Sequence, residues 1–219
     1  MWRRFYRTVP SGEKYMSYLM RSKFEIIKTL RGMKVLDIGG SGYGATGRRA
    51  RLLEEAWTGV HRTVLDLNAP ADIVCDLNRL PLPMIETEFD VAVAFDVLEH
   101  VKNPGIVLEW IPACTLWLNV PSATSLNCQR IERSCHKQIE GFAHLYSFNM
   151  ITIRNLVEHC GWKVEESLYT LDTQSALGVA FSTVASLAPY WTAMGIALKC
   201  SRVVAAGGAA ASSPFRPGC

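Results

Sequence analysis

The stretch Val35-Leu36-Asp37-Ile38-Gly39-Gly40-Ser41-Gly42-Tyr43-Gly44 constrains this chain most. An apolar run carries one acid and then breaks into four glycines within six positions, Gly39 to Gly44. Helix-compatible sequence follows from Ala45. A buried parallel strand that ends in a glycine turn and feeds a helix reads this way. Such a turn lets a ligand approach the backbone, and the helix start offers free N–H groups to an anionic group. The loop is therefore expected to hold a nucleoside-containing cofactor.

The rest of the chain supplies the sheet for that loop. Residues 11–31 carry apolar positions at helical spacing, read as one or two amphipathic helices that cover the core or roof a site. Strands are predicted at Lys34–Ile38, 61–67, Asp72–Cys75, Phe89–Phe95, Leu116–Val120, Lys163–Leu171 and Ala193–Lys199. Helices are predicted over 45–56, 103–110 entered through Pro104, and 147–160 with Ser147 as N-cap and Gly161 closing it. Strands alternating with helices give an α/β fold: a doubly wound, Rossmann-like, mostly parallel seven-stranded sheet with helices on both faces. Its ligands belong beyond the carboxyl ends of the strands, at the topological switch point. Asp37, Asp66, Asp76 and Asp96 fall at or just past predicted strand ends and are expected on that one rim.

Two nucleotide readings compete for the loop. Gly40-Ser41-Gly42-Tyr43-Gly44-Ala45 satisfies the loose G-x-G-x-x-G/A dinucleotide pattern, with Asp66 downstream for a ribose. Asp37, placed before the glycines, would repel a pyrophosphate, and Asp76 has no duty toward a dinucleotide. A cationic or zwitterionic cofactor with a ribose and an adenine suits an acid-rich rim better.

Here the residues resemble a known family. Val35-Leu36-Asp37-Ile38-Gly39-Gly40-Ser41-Gly42 is similar to motif I of the class I S-adenosylmethionine-dependent methyltransferases, and the chain looks like their type 11 members. The resemblance runs on through Val64-Leu65-Asp66 and Asp72-Ile73-Val74-Cys75-Asp76-Leu77. It is clearest from Leu80-Pro81-Leu82-Pro83 through Phe89-Asp90-Val91 to Asp96-Val97-Leu98-Glu99-His100-Val101-Lys102-Asn103-Pro104. It covers residues 33–165. It implies S-adenosyl-L-methionine as cofactor, with Asp37, Gly39, Gly40, Ser41 and Gly42 around its methionine and ribose. Asp66 would bond the ribose hydroxyls and Leu67 would pack on the adenine. Asp76 would accept from the adenine amino group, Leu77 would donate through its backbone, and Asp96 would stand beside the sulfonium. Ser41 stands where the family pattern has glycine.

Asp96-x-x-Glu99-His100, with the later His144, resembles the E-x-x-E-H…H site of ubiquinone-pathway O-methyltransferases and small-RNA 2′-O-methyltransferases. That resemblance implies a divalent metal (Mg²⁺, Mn²⁺ or Co²⁺) on Asp96, Glu99, His100 and His144. Without a metal, His100 or His144 is the candidate general base. The expected reaction is O-methylation of a small molecule or a glycan or lipid precursor. An RNA ribose 2′-hydroxyl is one alternative, although no aromatic-basic stacking platform favours nucleic acid. A cofactor-binding but inactive partner protein is the other.

Charge and composition set the surroundings. Residues 1–34 hold nine Lys/Arg against two acids, while the whole chain of 219 residues carries +3. This makes residues 1–32 a basic helical extension, before a methyltransferase domain over 33–200 and a tail rich in Ala, Gly, Ser and Pro over 201–219. Residues 122–140, with Arg130, Arg133, His136 and Lys137, form an insertion expected over the acceptor. No charge occurs in the 26 residues between Asp172 and Lys199. That stretch is long enough to cross a membrane, but Pro189 and its glycines favour a buried helix over 175–188 and then a strand. A peripheral membrane contact stays open, helped by the basic arm. The seven cysteines are scattered without a C-x-x-C pair, so no disulfide framework or zinc knuckle is suggested. The N-terminus lacks an apolar signal region, and a cytoplasmic protein is expected.

Overall fold

A computed structural model describes residues 23–40, 48–126, 144–170, 191 and 193–203. Seven strands form one sheet: β1 (Lys34–Ile38), β2 (His61–Asp66), β3 (Ile73–Val74), β4 (Phe89–Phe95), β5 (Ala113–Pro121), β6 (Trp162–Thr170) and β7 (Gly195–Arg202). Their order is β3-β2-β1-β4-β5-β7-β6. The first five run parallel, and β7 lies antiparallel between β5 and β6. The chain reverses its winding between β1 and β4, so the switch point falls beside the glycines after β1.

The side-chain alternation of each strand feeds two cores, one per face. Val35, Val91, Val93, Phe95, Trp117, Leu168 and Ala197 meet Ile26, Ile27, Ala56 and Trp57 from α1 (Lys23–Lys28) and α2 (Arg48–Trp57). Leu36, Ile38, Ala92, Ala94, Leu116, Leu118 and Leu198 meet Val107, Leu108, Ile153 and Val157 from α3 (Pro104–Trp110) and α4 (Met150–His159). Helices thus cover both faces, as the alternating pattern requires. α1 belongs to the core rather than to a detached arm, since Ile26 and Ile27 are fully buried.

Two details depart from the sequence reading. The cap of α4 is Asn149, not Ser147. Its side chain accepts from the N–H groups of Ile151 and Thr152 at 2.9 Å each, and Thr152 Oγ1 accepts from Asn149 N–H at 2.9 Å. This reciprocal pair satisfies donors that Ser147, outside the first turn, cannot reach. Asn149→Ala is expected to destabilise the fold by about 1 kcal/mol, read from the midpoint of urea unfolding. The second departure is Cys114, which is disulfide-bonded; Cys75, Cys160 and Cys200 are free thiols. The end of the uncharged stretch follows the reading of a last strand. Gly195–Leu198 belong to β7 and are buried in the sheet, so they are core and not a membrane segment. The helix read over 175–188 lies outside the described residues, as do Ser41, Gly42 and residues 127–140 of the acceptor-side insertion. Among the described residues no helix is long and apolar enough to cross a membrane.

Candidate active site

The carboxyl ends of the parallel strands gather the predicted acids in two groups with different work. Asp37 is the fourth residue of β1, not its last, and is fully buried. Arg62 of β2 donates its Nε to Asp37 Oδ2 at 2.7 Å, with a second guanidinium nitrogen 2.5 Å from the same oxygen. The Asp37 charge is therefore compensated inside the protein and is not presented to a ligand. Its predicted repulsion of a pyrophosphate falls away, and the case against a dinucleotide rests on the remaining rim.

Asp66 ends β2. Its Oδ1 accepts from Asn68 N–H at 3.0 Å, a local turn that fixes the carboxylate at the rim. Asp76 uses the same device with Asn78 N–H at 2.9 Å and pairs with Arg79 at 3.3 Å. Leu67, Val74, Cys75, Asp76, Arg79 and Pro81 line a cleft of about 420 Å³. Leu67 exposes 58% of its surface there. The structure thus brings Leu67 and Asp76 to one apolar-walled cleft with a single acid. Leu77 turns its side chain into the core, leaving only its backbone for a ligand.

The second group follows β4. Asp96 has φ 56°, a left-handed conformation that Asp tolerates better than most residues. Its N–H donates to Asn119 O of β5 at 2.8 Å. This bend throws Val97 across the start of the glycine loop. Gly39, at φ 77°, would place a Cβ 2.4 Å from Val97 Cγ2. Both the backbone and the neighbour therefore demand glycine at that position. A single 3₁₀ turn, Leu98–His100, comes next.

His144 reaches this turn from a distant part of the chain. Leu145 N–H donates to Glu99 O at 2.7 Å, and Tyr146 N–H donates to the same carbonyl at 3.3 Å. Tyr146 Oη donates to Lys102 O at 2.7 Å. Ala123 N–H donates to Phe148 O at 2.8 Å, closing the other end of the segment. The His100 and His144 rings then meet edge to face with centroids 4.8 Å apart. One ligand atom from each of Glu99, His100 and His144 falls within 4.8 Å of the others.

Glu99 is the unusual member. It is 1% exposed, and neither carboxylate oxygen has a hydrogen-bond partner among the described residues. His100 Nε2 stands 3.9 Å from its Oε1, too far for a hydrogen bond. Burial and then the nearby Asp96 charge push the Glu99 carboxyl up to about 8. Asp96 does not join the Glu99–His100–His144 group; its carboxylate is in close contact with Lys23 Nζ of α1.

Two of these features escaped the sequence reading. Lys23 lay in a stretch read only as a helix. Arg62 is a cation in the strand next to Asp37, and that charge complementarity was the signal available.

The comparisons with known proteins agree with this architecture. No protein-family model and no curated protein matches the sequence. Among solved structures, an S-adenosylmethionine-dependent methyltransferase from Mesorhizobium loti aligns with a TM-score of 0.53 at 14% identity, over 81% of this chain and 96% of that one. A Haloferax volcanii methyltransferase solved in complex with its activator gives 0.54 at 17% identity, over 84% and 90%. The plantazolicin methyltransferase, solved with a desmethyl substrate analogue and S-adenosylhomocysteine, gives 0.51 at 13% identity, over 82% and 84%. The chain has the fold of the S-adenosylmethionine-dependent methyltransferases.

Proposed function

We propose that the protein is an S-adenosylmethionine-dependent methyltransferase that methylates a hydroxyl of a small molecule or of a glycan- or lipid-linked acceptor. The observation that carries this reading is the convergence of Glu99, His100 and His144 on the rim of a methyltransferase sheet, next to Asp96 at the switch point. The cofactor lies along that rim. Gly39 and Gly40, with Ser41 and Gly42 after them, take its methionine end, Asp66 the ribose hydroxyls, and the cleft of Leu67 and Asp76 the adenine. Leu77 offers a backbone N–H beside Asp76. Asp96, paired with Lys23 but still part-exposed, faces the sulfonium, where a carboxylate favours the positive charge.

The transfer is an in-line displacement. The acceptor oxygen forms a bond to the methyl carbon while the carbon–sulfur bond breaks and its electron pair returns to sulfur. Positioning supplies much of the acceleration, because the sulfonium is already a strong donor. A hydroxyl must also lose its proton. With no ion bound, His144, exposed on the open side of the group, takes it, and His100 packs against the His144 ring and fixes its orientation.

A divalent ion fits the same residues. Two imidazoles and a buried carboxylate, whose oxygens have no hydrogen-bond partner among the described residues, form the donor set. Nitrogen-rich ligation of this kind suits Mn²⁺ or Co²⁺ better than Mg²⁺. Such an ion, held by Glu99, His100 and His144, would lower the pKa of an acceptor hydroxyl bound to it. Asp96 is left to the cofactor.

Transfer of a labelled methyl group from S-adenosylmethionine to a panel of hydroxylic acceptors tests the reaction. Label on an acceptor oxygen supports it, and cofactor binding without transfer to any acceptor favours an inactive partner protein. Turnover lost in chelator and restored by Mn²⁺ or Co²⁺ supports the ion, and indifference to chelator removes it.

A further inference from the structure

Arg62 does more than neutralise a buried acid. From β2 its guanidinium reaches across to β1, donates Nε to Asp37 Oδ2 at 2.7 Å, and donates a terminal N–H to Gly40 O at 2.7 Å. The register pairs Val35 with Arg62, so Arg62 shares a sheet face with Val35 and Asp37. The Trp57 ring of α2 lies 4.5 Å from the guanidinium carbon and covers it. One planar cation therefore ties strand β1, strand β2 and the first turn of the glycine loop together. Lysine, with a point charge in place of the fork, cannot make both bonds in this geometry.

Gly40 answers to the same contact. A Cβ at Gly40 would lie 2.1 Å from Asp37 Oδ2 and 2.7 Å from the Arg62 terminal nitrogen. The consecutive glycines are thus explained separately. Gly39 makes room for Val97 and bends the chain, while Gly40 makes room for the Asp37–Arg62 pair.

We propose that Arg62 is the positioning residue of the cofactor loop, with Asp37 and Gly40 as its two anchor points. The guanidinium fixes where the loop leaves the sheet. Asp37 acts on the cofactor through this tether. The proposal rests on the methyltransferase reading, in which the loop seats S-adenosylmethionine.

Calorimetry with S-adenosylmethionine, paired with amide hydrogen exchange over residues 39–42, tests it. Arg62→Met is expected to weaken binding about tenfold or more, the worth of charge-assisted hydrogen bonds, and to speed exchange in the loop. In the same assays Gly40→Ala, which displaces the guanidinium, is expected to match it. The double variant should be little worse than either single one, because both break one tether. Removing Arg62 alone leaves a buried uncompensated acid and could unfold the chain. The pair Asp37→Leu with Arg62→Met replaces both charges by apolar groups and should remain folded, yet still bind weakly and exchange fast at residues 39–42. Wild-type affinity in that folded pair, or fully additive losses for Arg62→Met and Gly40→Ala, overturns the proposal. Wild-type protein that does not bind the cofactor refutes the methyltransferase reading instead. The exchange rates still decide the tether in that case, and an unchanged loop in Arg62→Met overturns it.

Discussion

Between pH 5 and pH 8 the metal-free protein is expected to lose stability, and Glu99→Gln is expected to flatten that slope. The sign follows from the two states. The native Glu99 carboxyl sits at about 8, above its ordinary value of 4.5, chiefly because it is buried and then because Asp96 is near. Below 4.5 both native and unfolded chains hold the proton, and Glu99 contributes no pH dependence. Above 4.5 the unfolded chain ionises while the native chain keeps its proton. The native state then binds more protons, so its stability falls as pH rises toward 8. Each pKa unit is worth about 1.4 kcal/mol, so the full window amounts to roughly 3–5 kcal/mol. Urea unfolding of wild type and Glu99→Gln at pH 5 and pH 8 measures it. The two proteins should differ more at pH 8 than at pH 5, with the variant gaining relative to wild type. Parallel pH profiles would contradict the burial argument. Mn²⁺ added at pH 8 should raise the wild-type midpoint, since an ion that binds only the native state stabilises it, and should do so far less in the variant.

The second large effect is on turnover. His144→Ala is expected to lower methyl transfer by about 10²–10⁴-fold, the usual worth of a positioned general base. Affinity for S-adenosylmethionine should stay close to wild type, because the cleft of Leu67 and Asp76 and the Asp66 turn lie on other loops. Exposed His144 carries no core packing, so its loss should leave unfolding nearly unchanged. Steady-state kinetics with calorimetry on the same preparations separates these quantities. Equal losses of cofactor affinity and turnover would mean that His144 serves the cofactor seat and not the proton.

Much of this was legible in the sequence. Runs such as Phe89–Phe95 read as buried strands because nearly every residue is apolar, and the alternation with helices gives the doubly wound class. Asp66, Asp76 and Asp96 were placed on one rim because parallel strands end on the same side. The direction of β7 was not legible, since its alternation is the same whichever way the strand runs. Asp37 was legible as an acid near a turn but not as a paired one. Its partner, Arg62, is 25 residues away and is brought there by strand register. Ser147 and Asn149 are equally good caps by residue type, and Thr152 selects Asn149 by returning a hydrogen bond. The meeting of His144 with Glu99 and His100 depends on Leu145 and Tyr146 N–H groups binding one carbonyl some 45 residues earlier in the chain. Backbone hydrogen bonds of that span leave no periodic trace in a sequence.

The Glu99 carboxyl, without a hydrogen-bond partner among the described residues, also sets stability against function at this rim. A buried acid whose oxygens find no partner among the described residues destabilises the protein. That cost is consistent with a site completed by a cation, and Asp37, paired with Arg62, does not incur it. Local disagreement of this kind, in a fold whose strands and cores are otherwise consistent, marks where chemistry is expected.

The central claim is that the acid-rich rim seats S-adenosylmethionine. Titration calorimetry of the full chain with S-adenosylmethionine, beside the same titration of Asp66→Ala, tests it most directly. Saturable one-to-one binding by the wild type is expected, with an affinity lowered roughly 10–100-fold in Asp66→Ala, the worth of hydrogen bonds donated by ribose hydroxyls to a carboxylate. No binding by the folded wild type, or equal binding by Asp66→Ala, would contradict it.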